Sequence, residues 1–220
     1  MAQIREDLAW VINLGIVLVV VLLAWIIGPS AWMETNYRSQ VRQYGRGNAL
    51  KGFGALISST EDFNQQLKEI GIEKPISSQF GLVIPKIFVN VSVTENVDAS
   101  DVKKYQSALR RSGGVAHAAG TAVPDEMGAM YIFGHSTDFN FNVERFNAVF
   151  YLLNKLEKKD LIVVSYNGVL YKYRVAEKKI VGAKDISEIV NPNSRHKLVL
   201  QTCWPPGTTW KRLLIIAGPE

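Results

Sequence analysis

Hydrophobic positions are distributed along this chain in two different ways. From Leu8 to Ile27 they form one run, LAWVINLGIVLVVVLLAWII, with no charge and only Asn13 clearly polar; from Phe80 onward they come in short runs separated by turn residues. A helix over the first run, at about 1.5 Å per residue, is roughly 30 Å long, the thickness of a bilayer core. Trp10 and Trp32 stand near its two ends, where amphipathic aromatics favour the headgroup layer, and Gly28-Pro29 stops it. A buried core helix would keep a polar face, which this run lacks. A cleaved signal peptide has a shorter apolar region and a small-residue cleavage site, which Ser30-Ala31-Trp32 matches poorly. The pattern predicts an uncleaved single-pass anchor over residues 1–28, with the remainder on one side of the membrane.

The flanking charges point the other way from an exported domain. Arg5 and the amino terminus face Glu6 and Asp7 on one side, whereas Arg38, Arg42 and Arg46 follow the span. A naive positive-inside count puts the large domain in the cytoplasm, although long domains translocate largely regardless of such charges.

Residues 29–78 are polar and mixed, broken by Gly45, Gly47, Gly52 and Gly54, and read as a stalk. Within it Glu61 to Ile70 forms two to three amphipathic turns, with Ser59-Thr60 as N-cap and Gly71 as stop. The strand-like runs then begin. Gly81–Ile84 and Ile87–Val93 are interrupted by Pro85; Ala129–Phe133 follows; Asp160–Tyr166 and Val169–Ala176 flank Asn167-Gly168, the strongest short-range hairpin signal; Lys197–Thr202 and Lys211–Ala217 complete the set. Val143, Phe146, Val149, Phe150, Leu153 and Leu156 repeat at helical spacing and predict a helix with one buried face over Val143–Leu156. About seven short strands with one or two helical insertions predict a mainly β domain, a barrel or sandwich, over residues 79–220.

Composition narrows the functional classes. The chain has 220 residues, 47% hydrophobic and 20% charged, with 25 Lys+Arg against 20 Asp+Glu. Its 17 Gly and 8 Pro follow no repeat, which excludes collagen-like and disordered readings. The basic excess is scattered, without the stripe or module of a nucleic-acid surface. One cysteine means that no disulfide framework is needed.

That cysteine, Cys203, follows the strand-like KLVLQT and precedes Trp204-Pro205-Pro206-Gly207, a segment that cannot continue a sheet. A lone cysteine often serves as a small buried hydrophobe. A second use is open to this one, because His135 also ends a strand-like segment and could act as base or acid for a thiol. Arg212, nine positions on in the returning strand, is expected to be a paired neighbour of Cys203, where its charge would favour a thiolate or an oxyanion. Each has an ordinary structural alternative: a turn histidine, a solvated edge charge. His117, His135, His196 and Cys203 show no zinc-ligand spacing, so neither metal nor cofactor is expected.

Several motifs fall in one order. Leu82-Val83-Ile84-Pro85-Lys86-Ile87 is followed by Gly114-Val115-Ala116-His117 with Gly120-Thr121-Ala122-Val123-Pro124, then by Ile132-Phe133-Gly134-His135, Leu200-Gln201-Thr202-Cys203 and Lys211-Arg212-Leu213. Together they resemble the sortases, membrane-anchored bacterial cysteine transpeptidases, over about residues 80–218. The chain departs from the family pattern at Val199, Asp125 and Ser136, where Thr, Gly and Arg are frequent, and no Asp-Pro-aromatic lid motif precedes the barrel.

The resemblance implies a closed β-barrel of about seven to eight strands on the extracellular side of the cell membrane. It also implies a mechanism. Cys203 attacks a backbone carbonyl in a C-terminal sorting signal of the LPxTG type on an exported protein, and His135 protonates the leaving amine. The resulting thioester is resolved by an amine of a cell-wall precursor or a pilin lysine, with His135 now as base. Arg212 holds the substrate backbone or the oxyanion, and the N–H groups around Cys203 and Trp204 are candidates for an oxyanion hole. Thr202, Trp204, His117, Thr121 and Ala122 are expected to bind substrate or support the site, His117 as structural support. His196 reads as surface, and Asp185 to His196 as the loop that sets specificity. Unshifted, a thiol near pKa 8.5 and an imidazole near 6.5 are mostly neutral at pH 7, so a perturbed pair or a small active fraction must operate. Two alternatives stay open: a cysteine peptidase with water as acceptor, and a non-catalytic anchored scaffold.

Overall fold

The structure, a computed structural model, describes residues 10, 12–24, 31–32, 34–35, 37–39, 77–111, 114–136, 149–190 and 196–220. The chain divides into two compact units, Met1–Asn48 and Ala49–Glu220. In the first, the described residues are helical. Among the described residues no helix is both long and apolar enough to cross a membrane. Residues 8–9, 11 and 25–27 of the expected span, and the whole of the expected helix Glu61–Ile70, lie outside them.

Among its described residues the second unit holds one sheet of nine strands: β1 Phe80–Ile84, β2 Val89–Ser92, β3 Thr94–Val97, β4 Val115–Ala118, β5 Ala129–Gly134, β6 Leu161–Tyr166, β7 Val169–Gly182, β8 Lys197–Trp204 and β9 Lys211–Pro219. Among the described residues two α-helices accompany it, α1 Val102–Arg111 and α2 Ser187–Val190. The spatial order is β2-β1-β6-β7-β9-β8-β5-β4-β3. The two edge strands of that order, β2 and β3, are separated in sequence by Val93 alone, so the sheet has to curl until its edges meet in a nearly closed barrel. The seam is held from both sides. Val93 N–H donates to Phe80 O at 2.9 Å, and the Tyr166 hydroxyl donates to Glu95 Oε1 at 3.1 Å. The Phe80 ring lies 5.2 Å from Tyr166 and 5.5 Å from His117.

Nine strands replace the expected seven to eight for identifiable reasons. Pro85 starts a 3-10 turn, Pro85–Ile87, and Phe88 adopts a left-handed φ of 56°, so the run Ile87–Val93 becomes a turn plus a strand that folds back on β1. Thr94–Val97 and Val115–Ala118 are too short and too weakly alternating to register as strands by pattern. The Asn167-Gly168 turn is as its residues dictate: both have positive φ, 48° and 80°, and Tyr166 pairs with Val169.

The helices correct the pattern reading in opposite directions. Of the expected helix Val143–Leu156, residues 143–148 lie outside the described residues, and the rest is a 3-10 turn, Tyr151–Lys155. Phe150, Leu153 and Leu156 are fully buried at intervals of three, which suits three residues per turn. Conversely α1 was not expected. Asp101 Oδ1 caps it by accepting from the Lys103 and Lys104 N–H groups at 3.1 Å, and Tyr105, Ala108 and Leu109 form its buried stripe.

Because Leu153 is fully enclosed, Leu153→Ala leaves a cavity. Chemical denaturation is expected to show a loss of about 2–5 kcal/mol, with an unchanged far-UV circular dichroism spectrum.

Candidate active site

Strand pairing assembles the site. β8 pairs antiparallel with β9, making Cys203 and Arg212 direct Cα partners, and β9 pairs with β7 so that Arg212 opposes Val181. On its other side β8 runs parallel to β5 in a register that ends at Phe133 opposite Gln201. Continued by two residues, that register brings His135 level with Cys203. Paired residues share a sheet face, so the side chains of His135, Cys203, Arg212 and Val181 form one row across four strands. The expected pairing of Cys203 with Arg212 is therefore present.

Thr202 fixes the alignment from the opposite face. Buried, it donates from Oγ1 to the carbonyl of Gly134 at 3.0 Å, the residue preceding His135. Gly134 is required there, since a Cβ would stand 2.7 Å from Gly114 O and 3.0 Å from Phe150 Cδ2.

Around the row, Cys203 and His135 are half-buried. The His135 ring lies 5.8 Å from Tyr105 of α1, tilted by 50°. Arg212 Nη1 donates to the carbonyls of Thr209 and Lys211, at 3.0 and 3.1 Å, which holds the guanidinium over the loop that follows Cys203. Among the described residues no carboxylate pairs with Arg212 or groups with other ligands to hold a metal. One layer below, Phe133, Gln201 and Leu214 form a second row, and Tyr131, Val199 and Ile216 a third. The buried Tyr131 hydroxyl donates to Gln201 Oε1. Burial pushes the Tyr131 phenol above its ordinary range, against the nearby positive charge of Arg212.

The segment Asp185 to His196, expected to set specificity, contains α2 among its described residues. Asp185 Oδ1 accepts from Ser187 N–H, and Glu188 bridges Lys179 and Lys197 at 2.6 and 2.8 Å. Those two cations hold the Glu188 carboxyl below its ordinary range. Ile189 packs on the apolar rows beneath the site. His196, expected at the surface, is half-buried.

The other expected support residues divide. Thr202 touches the site through Gly134. Trp204 pairs with Lys211 and faces away from the Cys203 row. His117 pairs with Ile132, which pairs with Leu200, so it lies on the sheet face opposite Cys203. Its ring is part of a separate network. Asn96 N–H donates to Nδ1 at 3.4 Å, and Nε2–H points at Ala122 O, 3.0 Å away, and Thr121 Oγ1, 2.9 Å away. Thr121 Oγ1 itself donates to Ala118 O at 2.8 Å. Thr121 and Ala122 lie by the start of β5, where Ala122 N–H donates to Ala129 O, and His135 follows the end of that strand. His117, Thr121 and Ala122 thus form one hydrogen-bonded network that binds the turn after β4 to β3. Tyr105, Tyr131 and Gln201 were not singled out in the sequence, although Gln201 is two positions before Cys203 and shares its face.

A sortase domain model matches residues 82–220. The chain belongs to the sortase family. Among solved sortases, sortase C-1 of Actinomyces oris has a TM-score of 0.54 at 22% identity, over 84% of this chain and 97% of that one. Sortase C of Clostridium perfringens, solved with the C-terminal cell wall sorting motif, has a TM-score of 0.50 at 21% identity, over 64% and 69%. Sortase E1 of Streptomyces coelicolor, with a tripeptide in its active site, has a TM-score of 0.50 at 26% identity, over 66% and 90%. No curated protein matches the chain. Across these sortases of different class the shared feature is the fold.

Two outcomes follow. Thr202→Val in this sortase removes the donor to Gly134 O and is expected to cost about 1–2 kcal/mol; it should slow thiol acylation beyond that loss, while Thr202→Ser retains both, as read by urea denaturation and single-turnover rates. Burial lowers the His117 pKa below the ordinary histidine value of 6.5. Between the folded and unfolded values the unfolded chain binds more protons, so stability rises with pH and is lost as pH falls below about 6.5. Urea midpoints from pH 7.5 to 5 should decline less steeply in His117→Gln than in the unsubstituted chain. Equal slopes would remove His117 from the acid response.

Proposed function

We propose that this sortase-type transpeptidase uses Cys203 as nucleophile, His135 as proton donor and acceptor, and Arg212 as the cation that holds the substrate backbone or the tetrahedral oxyanion. The observation that carries the reading is the single row in which Cys203 and Arg212 are Cα partners and the β5 register brings His135 level with them. Attack by the Cys203 sulfur on a peptide carbonyl, its proton passing to His135, forms a thioester and expels an amine, which takes that proton from His135. A second amine then attacks the thioester and gives its proton to His135, which returns it to the sulfur and regenerates the thiol. The peptides held by the C. perfringens and S. coelicolor sortases support a sorting signal of an exported protein as donor. An amine of a cell-wall precursor or a pilin is the acceptor in this reading.

The reading includes a bilayer anchor at residues 8–27, within a division into anchor 1–28, stalk 29–78 and catalytic domain 79–220, with that domain on the extracellular side. Its support is the apolar run itself and the large side chains of residues 12–23, which stand 47–61% exposed and gain from an apolar surrounding.

The test is intact-mass spectrometry of the full chain in detergent with a pool of LPxTG-type peptides, with and without an added amine. A Cys203-linked acyl adduct is expected, passed on to the amine, and absent from Cys203→Ala. His135→Ala should slow its formation by at least about a hundredfold. An adduct released only to water would make the protein a peptidase. No adduct with any peptide would favour an anchored scaffold.

A further inference from the structure

Gln201 is a polar side chain in a row otherwise made of Phe133 and Leu214, which are 7% and 2% exposed. It lies two residues before Cys203 on the same face of β8, so the two side chains stand about 7 Å apart along the strand. Burying a carboxamide among apolar groups is unfavourable unless its hydrogen-bonding groups are used. Only half of this one is used: Oε1 accepts the Tyr131 hydroxyl, and among the described residues Nε2 has no partner. Tyr131 fixes the orientation. Tyr131 is 4% exposed, its hydroxyl has no other acceptor among the described residues, and a flipped carboxamide would leave that O–H proton unbonded by them. The two N–H groups of Gln201 therefore remain available beside the nucleophile.

An extended peptide advances about 3.3 Å per residue. A peptide lying along β8 with its scissile carbonyl at Cys203 would place the backbone about two residues along over Gln201. We propose that Gln201 is a substrate-binding residue whose carboxamide N–H donates to one backbone carbonyl of the donor peptide about two residues from the scissile bond, and that Tyr131 is the positioning residue that aims it. This rests on the transpeptidase reading above. It assigns the contact to the peptide backbone, so it fixes the position of the chain in the groove whatever side chain that residue bears.

The experiment measures kcat and KM for acylation with an LPxTG-type peptide and a series in which one backbone carbonyl at a time is replaced by methylene. Gln201→Met, similar in volume and without N–H donors, should lower kcat/KM by about five- to tenfold, chiefly through KM, as should Tyr131→Phe to a smaller extent. For one peptide of the series, altered about two residues from the scissile bond, the unsubstituted chain should lose the same factor and Gln201→Met should lose nothing further. Thermal unfolding of each variant separates a folding defect, which would lower the active fraction and hence kcat for every peptide. Unchanged kcat/KM in Gln201→Met, or one constant loss across the whole series, overturns the proposal while leaving the transpeptidase in place. Absence of any Cys203-dependent acylation in the unsubstituted chain overturns both.

Discussion

β8 is hydrogen-bonded on one side to the parallel strand β5 and on the other to the antiparallel strand β9, and the candidate chemistry depends on those two registers together. A one-residue slip in either would send Cys203, or its neighbour, to the opposite face of the sheet. The strand itself resists slipping because its two faces differ. Leu198, Leu200 and Thr202 are buried on one, while on the other Val199 is buried and Lys197, Gln201 and Cys203 are half-buried. The Thr202 hydroxyl on Gly134 O then ties the register to the exact residue that precedes His135. The half-buried row of His135, Cys203 and Arg212 is thus aligned in part by an interaction made on the opposite face of the sheet.

The same alternation explains why two histidines in similar strand contexts have different surroundings. His135 follows β5 on the Cys203 face, beside the Tyr105 ring. His117 faces the other way, near the seam where β2 and β3 meet, with Nδ1 accepting from Asn96 and Nε2–H directed at Ala122 O. Those contacts use the neutral imidazole, and burial favours the same form. A protonated His117 would lose its acceptor nitrogen. Its position suits a closure element of the barrel, and the closure is the feature that removes exposed strand edges from the fold.

What the chain revealed before folding follows from how local each signal is. Cys203, His135 and Arg212 could be picked out because each lies at or beside a strand terminus, and strand termini are visible in the alternation and in Trp204-Pro205-Pro206-Gly207. Asn167-Gly168 announced its hairpin through backbone preference alone. The short strands Thr94–Val97 and Val115–Ala118 owe their pairing to partners far away in sequence, so their own pattern said little. Phe150, Leu153 and Leu156 fitted a helical and a 3-10 period alike over so few residues, and only packing decided between them. His117 lies in a motif that accompanies the site in sequence, whereas sheet pairing, which sequence proximity does not encode, puts it on the face opposite Cys203. Gln201 could have been found, since an interval of two along a strand is a shared face, but its partner Tyr131 is 70 residues away.

Two covering elements flank the apolar rows under the candidate catalytic row, and different forces hold them. α1 is held by Tyr105, Ala108 and Leu109 against Phe133 and its neighbours, contacts that salt does not screen. α2 has four residues, too few to be stable alone, and contributes Ile189 to the same rows. It is held by Glu188 between Lys179 of β7 and Lys197 of β8, with Glu188 and Lys197 only 16% and 15% exposed. Partial burial makes such a bridge stronger than a surface pair, and its loss would leave a half-buried carboxylate facing nothing. The two lysines come from strands that β9 separates in the sheet, so the bridge spans β9 and fastens the β7–β8 connection over it. The wall of the site nearest the expected specificity segment is therefore positioned by charge, and the wall beside His135 by packing.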